Sequence, residues 1–252
     1  MIKIKTPKEI ELIREASALA KEVLEQACHI AESGTSTRQI DEFVREFTKG
    51  RGAKSAPFNY KGHGKTPFPA SCCISVNDVV CHGIPGDYIL QEGDIVNIDV
   101  TPILRGYHGD TSATVCVGQV SKEAHDLVEF TKKVLWVGIH AVKVDGDLND
   151  IGRAIEAAAH GAGYSVVKEF CGHGIGRKFH EKPDVCHYAI PSKGHKIVEG
   201  MVFTIEPMLN LGGPEIEIMP DHWTVMTKDR SLSAQFEHTI AITSHGVEVL
   251  TM

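Results

Sequence analysis

Asp99 ends a run of residues in which a carboxylate is out of place. In Asp94-Ile95-Val96-Asn97-Ile98-Asp99-Val100-Thr101, strand alternation puts Ile95, Asn97 and Asp99 on one face and Val96, Ile98 and Val100 on the other. An ionised carboxylate among such neighbours is costly unless it is paired or coordinated. Glu206 follows Met201-Val202-Phe203-Thr204-Ile205, a still more apolar run. Singly, each acid reads as a strand end at the surface; at matching positions of an apparent repeat, that reading weakens. Asp110, Glu237 and His173 complete a set of four carboxylates and one imidazole. Clustered, the carboxylates would repel one another and some would take up protons; cations remove that objection. One divalent ion needs fewer ligands than this set supplies, whereas two ions sharing bridging carboxylates would use all five. An oxygen-rich set with a single nitrogen suits Mn²⁺, Fe²⁺, Co²⁺ or Zn²⁺ better than a thiolate-loving site. Two such ions activate a water at neutral pH and polarise a carbonyl, the chemistry of metal-assisted hydrolysis.

Other candidates carry less. Most of the 14 histidines read as surface or satisfied core residues. His82 stands out because His82-Gly83-Ile84 echoes His173-Gly174-Ile175. His180 stands out because Gly172-His173-Gly174-Ile175-Gly176-Arg177-Lys178-Phe179-His180-Glu181 reads as a glycine-dense loop, in which a backbone can approach a ligand closely. No Lys-Ser/Thr follows to make that loop a phosphate cradle, and no serine sits in G-x-S-x-G. Cys171 lies beside His173 and Cys72-Cys73 are adjacent, which leaves a thiol enzyme conceivable, but free cysteines are more often buried small hydrophobes.

Positioning these residues requires a scaffold, and its elements are legible. Thr6-Pro7-Lys8-Glu9 offers an N-cap, a proline at the first helical position and a capping-box glutamate. Ile10, Ile13, Ser17, Ala20, Leu24 and Ala27 then follow at helical spacing until Gly34. Ser36 with Gln39 caps a second helix to Lys49 whose buried stripe is Ile40, Phe43, Val44 and Phe47. The segment Gly50–Ala70 reads as loop, and strands are expected at Cys72–Val76, Asp94–Thr101 and Thr111–Val117. The order then restarts: helices over Ser121–Val142 and Asp147–His160, strands at Tyr164–Val167, Met201–Ile205, Trp223–Met226 and Ala234–Thr243. Glu92-Gly93-Asp94-Ile95-Val96-Asn97-Ile98-Asp99 matches Glu199-Gly200-Met201-Val202-Phe203-Thr204-Ile205-Glu206, and each word is followed by a second acid, Asp110 and then Glu237. The expectation is one domain over residues 1–252 built from two pseudo-repeats, about 6–118 and 121–245.

Composition sets outer bounds. A chain of 252 residues with 26 basic and 33 acidic side chains carries a formal charge of −7, which argues against a nucleic-acid surface. Seven cysteines, none in C-x-x-C, point to a reducing compartment rather than a disulfide scaffold. With no apolar run of membrane-spanning length and no secretion signal, the expectation is a soluble, cytoplasmic protein with no membrane partner.

The ordered set Asp99, Asp110, His173, Glu206, Glu237, with Cys81-His82-Gly83-Ile84-Pro85 ahead of it and Gly172-His173-Gly174-Ile175-Gly176 within it, resembles the type I methionine aminopeptidases over nearly the whole chain. The resemblance implies the pita-bread α/β (α+β) fold, an antiparallel sheet covered by two helix pairs about a pseudo-two-fold. It implies removal of the initiator methionine from nascent polypeptides when the next residue is small. By position, Asp99 and Asp110 would hold one metal ion, His173 and Glu206 the other, with Asp110 and Glu237 bridging and Glu206 also shuttling protons. His180 would hydrogen-bond the substrate carbonyl and its developing oxyanion, and His82 would lie near the scissile nitrogen. Tyr60, Phe68, Cys73, Phe179 and Trp223 would form the methionine pocket, where rings and sulfur suit a thioether. Asn77, Val79 and Ser233 match a monovalent-cation site for Na⁺ or K⁺. The resemblance further implies a monomer with transient ribosome contact, in the short form without a zinc-finger arm. One departure is visible: about five residues, His63-Gly64-Lys65-Thr66-Pro67, intervene between Tyr60-Lys61-Gly62 and Phe68-Pro69, which unsettles Tyr60 and offers His63 as a pocket histidine in shifted register. Two other readings are an X-Pro aminopeptidase or creatinase-like hydrolase, whose members carry a further N-terminal domain, and a binding protein that keeps the fold without catalysis.

Overall fold

The computed structural model describes residues 1–62 and 66–252. Helices α1 (Pro7–His29) and α2 (Thr37–Gly50) lead into β1 (Lys54–Ser55), β2 (Cys73–Val76), β3 (Val79–Cys81), β4 (Ile95–Val100), β5 (Pro102–Leu104), β6 (Tyr107–His108) and β7 (Thr111–Cys116). Helices α3 (Lys122–Ala141) and α4 (Asp150–Gly161) follow. Then come β8 (Ser165–Val166), β9 (Gly172–Gly174), β10 (Glu181–Val185), β11 (Val202–Ile205), β12 (Met208–Asn210), β13 (Ile216–Ile218), β14 (Val225–Thr227), β15 (Ser233–Gln235), β16 (Glu237–Thr243) and β17 (Gly246–Val249).

The helix starts follow from their caps. Thr6 and Glu9 form a reciprocal capping box, as do Ser36 and Gln39, each cap contributing about 1 kcal/mol. The helix over Asp147–His160 starts later than its sequence suggests, because the Asp147 carboxylate accepts the Asn149 and Gly194 N–H groups and holds a turn there. Helix α1 ends at His29 rather than running to Gly34, which instead takes a left-handed turn at φ 93°.

The main sheet is antiparallel, in the order β10-β9-β11-β16-β7-β4-β2, with β17 on β16. The seam between β16 and β7 divides it into mirrored halves, β9-β11-β16 and β7-β4-β2. Val96, Ile98 and Val100 of β4 pack beneath α1 and α2 with Val23, Ile40 and Val44. Phe203 and Ile205 of β11 pack beneath α3 and α4 with Leu135, Ile151 and Ile155. The helices thus cover one face of the sheet in two pairs. The alternate residues Asn97, Asp99, Thr204 and Glu206 belong to the other face.

Candidate metal centre

Both halves bring an acid to the uncovered face near the seam. Asp99 lies in β4 across from Ser112 of β7, and Glu237 at the start of β16 also pairs with Ser112. Asp110 immediately precedes β7, Glu206 immediately follows β11 and His173 is the middle residue of β9. The seam is tied by reciprocal threonines: Thr111 Oγ1 donates to Glu237 O at 2.8 Å and Thr239 Oγ1 to Asp110 O at 2.8 Å. The bond pairs each acid's carbonyl with the other half's hydroxyl, so the pseudo-two-fold extends to side chains.

Candidate ligand atoms of Asp110, His173 and Glu237 lie within 4.8 Å of one another. His173 Nε2 is 3.5 Å from Asp110 Oδ2 and 3.7 Å from Glu206 Oε1. Asp99, the least enclosed of the four acids, raises the proton affinity of Asp110, Glu206 and Glu237 by its charge. Burial is the main cause of upward shifts in all four: Asp99 is pushed up to about 7 and Glu206 to about 8, while Asp110 and Glu237 stand well above the usual carboxylate range. His173 is pushed down to about 4 by burial, so it is neutral at pH 7. Its Nδ1 faces Gly174 O at 3.0 Å; a proton there leaves the Nε2 lone pair toward the acids. Glu237 Oε1 is buried with no hydrogen-bond partner among the described residues. An orphaned carboxylate oxygen, a neutral imidazole lone pair and four acids that cannot all ionise together fit divalent cations.

Hydrogen bonds that the sequence reading missed fix these groups. Thr101 Oγ1 donates to Asp110 Oδ1 at 2.7 Å and Thr204 Oγ1 to Glu206 Oε1 at 2.6 Å, while Thr204 Oγ1 accepts the His173 N–H at 3.0 Å. Gln235 Nε2 donates to Glu206 Oε2 at 3.3 Å, and the Glu206 N–H donates to buried His187 Nε2 at 3.1 Å. Thr204 lies two residues from the Glu206 it serves, but Thr101 lies nine from Asp110, so nearness in sequence was no guide.

The expected pocket residues form two joined groups. Phe68 and Cys73 cluster with Ala70, and Trp223 packs on them; the Phe68 and Trp223 rings meet edge-on at 5.3 Å. Tyr60 packs on Phe179 at 5.1 Å, and its hydroxyl lies 2.7 Å from His180 Nδ1. Gly62 sits between the groups, since a Cβ there would be 3.0 Å from the Tyr60 ring and 3.2 Å from that of Trp223. His180 stacks on Phe179 at 4.2 Å and lies 4.2 Å from the His173 ring. His82 meets Phe170 edge-on at 5.2 Å and is pushed down to about 4 by burial. His63 lies outside the described residues; at the other end of the same segment, Trp223 Nε1 donates to Thr66 O at 3.0 Å. At the expected monovalent site, the Ser233 N–H donates to Asn77 O at 2.9 Å, Val79 lies in β3, and Ser233 Oγ is buried without a partner among the described residues.

Three expectations change. Gly172–Gly174 is a strand, not part of a loop. Ala234–Thr243 is two strands, β15 and β16, broken at Phe236. His82 is not the counterpart of His173: the Ile74 N–H donates to Gly83 O, so the His82 segment runs outside β2. Outside β9 runs β10, and the residue before it is His180.

The sequence signature of metallopeptidase family M24 matches residues 11–244. Methionine aminopeptidase A of a Synechocystis strain is 48% identical over 246 residues, covering 97% of this chain and 95% of that protein. The chain belongs to metallopeptidase family M24. Within the family it groups with the methionine aminopeptidases: the crystal structure of methionine aminopeptidase from Rickettsia prowazekii matches with a TM-score of 0.96 at 45% identity, covering 100% of both chains. This is the pita-bread fold of that M24 branch. The prolidase from Pyrococcus furiosus shares the fold alone, with a TM-score of 0.78 at 23% identity over 65% of its own length. No helix among the described residues is long and apolar enough to cross a membrane.

Proposed function

We propose that this M24 enzyme removes the initiator methionine from nascent polypeptides whose second residue is small, using two divalent ions held by Asp99, Asp110, His173, Glu206 and Glu237. The observation that carries the reading is the cluster of Asp110, His173 and Glu237 with Glu206 beside His173, while Asp99 pairs across the sheet with Cys73 of the aromatic and sulfur group, in a chain 48% identical to a methionine aminopeptidase. Asp99 and Asp110 would hold one ion and His173 and Glu206 the other, with Asp110 and Glu237 contributing to both. When bound, such a pair supplies an activated water and a Lewis acid for the scissile carbonyl. Mn²⁺, Fe²⁺, Co²⁺ and Zn²⁺ all suit the donor set.

The chain's own groups do the rest. Phe68, Cys73 and Trp223, with Tyr60 and Phe179, surround the methionine side chain. Glu206, aimed by Thr204 and Gln235, takes and returns protons. With the Tyr60 hydroxyl donating to Nδ1, His180 carries its proton on Nε2 for the substrate oxygen. His82, neutral at pH 7, serves the leaving nitrogen. Asn77, Val79 and Ser233 would provide oxygens for a Na⁺ or K⁺ ion near the join of β3 and β15. The enzyme acts as a single-domain monomer in the cytoplasm, with transient ribosome contact.

The test is release of methionine from Met-Ala-Ser by chelator-stripped protein as Mn²⁺ is added back. Activity that rises with the metal and is lost on Met-Leu-Ser supports the reading. No release at any metal concentration, with a competent control enzyme active alongside, would overturn it.

A further inference from the structure

Lys5 is a lysine inside the protein. Its Nζ donates to Glu181 Oε2 at 2.6 Å, and the two side chains are only 5% and 3% exposed. From the helix side, Lys5 is fixed by its neighbour Thr6, the N-cap of α1, and its own N–H donates to Gly200 O at 2.7 Å. On the other side, Glu181 Oε1 accepts the Lys178 N–H at 3.1 Å, and the Gly176 N–H donates to Lys178 O at 3.2 Å. Glu181 thus closes the turn 176–181 from within. Gly176 lies against the pair, since a Cβ there would be 2.7 Å from Lys5 Cε. Its carbonyl accepts the His108 N–H at 3.0 Å. Phe179 and His180 are carried on this turn.

We infer that the Lys5–Glu181 pair positions the turn bearing Phe179 and His180, so that the segment ahead of α1 sets the rate of a reaction whose substrate it does not touch. A buried ion pair returns little net stability, because desolvating two charges offsets their attraction. What it supplies is direction: Glu181 Oε2 takes its donor from Lys5 and Oε1 takes its donor from the turn itself, with the exposed Lys3 ammonium more loosely placed 3.6 Å from Oε1. A misplacement of about 1 Å at a group that stabilises developing charge costs as much as a hundredfold in rate. The inference rests on the assignment of His180 to the substrate, so His180→Ala is measured alongside.

The experiment compares manganese-loaded wild type, Lys5→Met, Glu181→Gln, the apolar double variant Lys5→Met/Glu181→Leu, and His180→Ala, recording kcat on Met-Ala-Ser, metal content and Tm. The single variants are expected to lose about tenfold to a hundredfold in kcat with metal content unchanged. The double variant is expected to regain Tm, because no lone charge stays buried, while its kcat stays low. A kcat that returns with Tm in the double variant would overturn the inference, because stability alone would explain the loss. Single variants within about twofold of wild type, beside an impaired His180→Ala, would overturn it too. Full activity in His180→Ala would overturn the site assignment, and the inference with it.

Discussion

The Thr204 hydroxyl joins two candidate ligands, accepting from the His173 backbone and donating to Glu206. Thr204→Val keeps the shape and strand propensity but leaves Glu206 without that donor. It should weaken Mn²⁺ affinity or activity by about 10- to 100-fold and lower Tm by several degrees, because the buried His173 N–H also loses its acceptor, as calorimetric titration, thermal melts and steady-state kinetics will show. Glu206→Gln should lower kcat by about a thousandfold and also weaken metal binding; His180→Ala should lower kcat at unchanged metal content. Near-normal rates at full occupancy in either variant would contradict these roles. The contrast between the ligands and their supporting residues also explains what could be read from sequence. A carboxylate in an apolar strand is an anomaly, so Asp99 and Glu206 declared themselves. A threonine in or beside a strand is ordinary, so Thr204 in β11 and Thr101 between β4 and β5 did not, and buried His187 was one of 14 histidines.

Among the elements, β9 carries a candidate ligand and almost nothing else. Its outer residues are glycines because its neighbours are close: a Cβ at Gly172 would run into Thr204 O of β11, and one at Gly174 into Lys182 O of β10. Gly172→Ala should therefore push β9 from β11, displace His173, and lower both Tm and Mn²⁺ affinity. Thermal melts with and without metal will test this, and an unchanged affinity would show that His173 tolerates the shift. The same glycines hid the strand, since they remove the apolar alternation by which strands are recognised. Where side chains pack and cap in the ordinary way the reading succeeded: both capping boxes, the helix pairs and the alternation of β4 stand as expected. His82 misled for the opposite reason. A three-residue word was matched without the pairing partner that sets its place in the sheet.

The whole molecule stores charge at one spot. Asp99 and Glu206, raised by burial to about 7 and about 8, hold protons in the folded, metal-free protein that the unfolded chain releases above about pH 4. Between about pH 4 and 6.5 the buried neutral histidines His82, His173, His187 and His238, which the unfolded chain protonates, offset this, so stability falls as pH rises from about 6.5 to about 8. Metal-free protein should show a falling Tm over this range, and Mn²⁺ should raise Tm most at the upper end; a flat profile would mean that the carboxylates are not held together. Two divalent ions would offset four of the seven surplus negative charges, so much of the net charge belongs to the site and says little about partners. Because the halves share the β7–β16 seam, urea unfolding should be a single transition by far-UV circular dichroism and tryptophan fluorescence alike. Two separated transitions would divide the proposed single domain.

Crystals soaked in Mn²⁺ and measured at the manganese absorption edge test the central claim most directly. The account predicts two anomalous peaks bridged by Asp110 and Glu237, the first completed by Asp99 and the second by His173 and Glu206. A strong peak elsewhere, or a single fully occupied peak with Asp99 or Glu206 turned away, would contradict it.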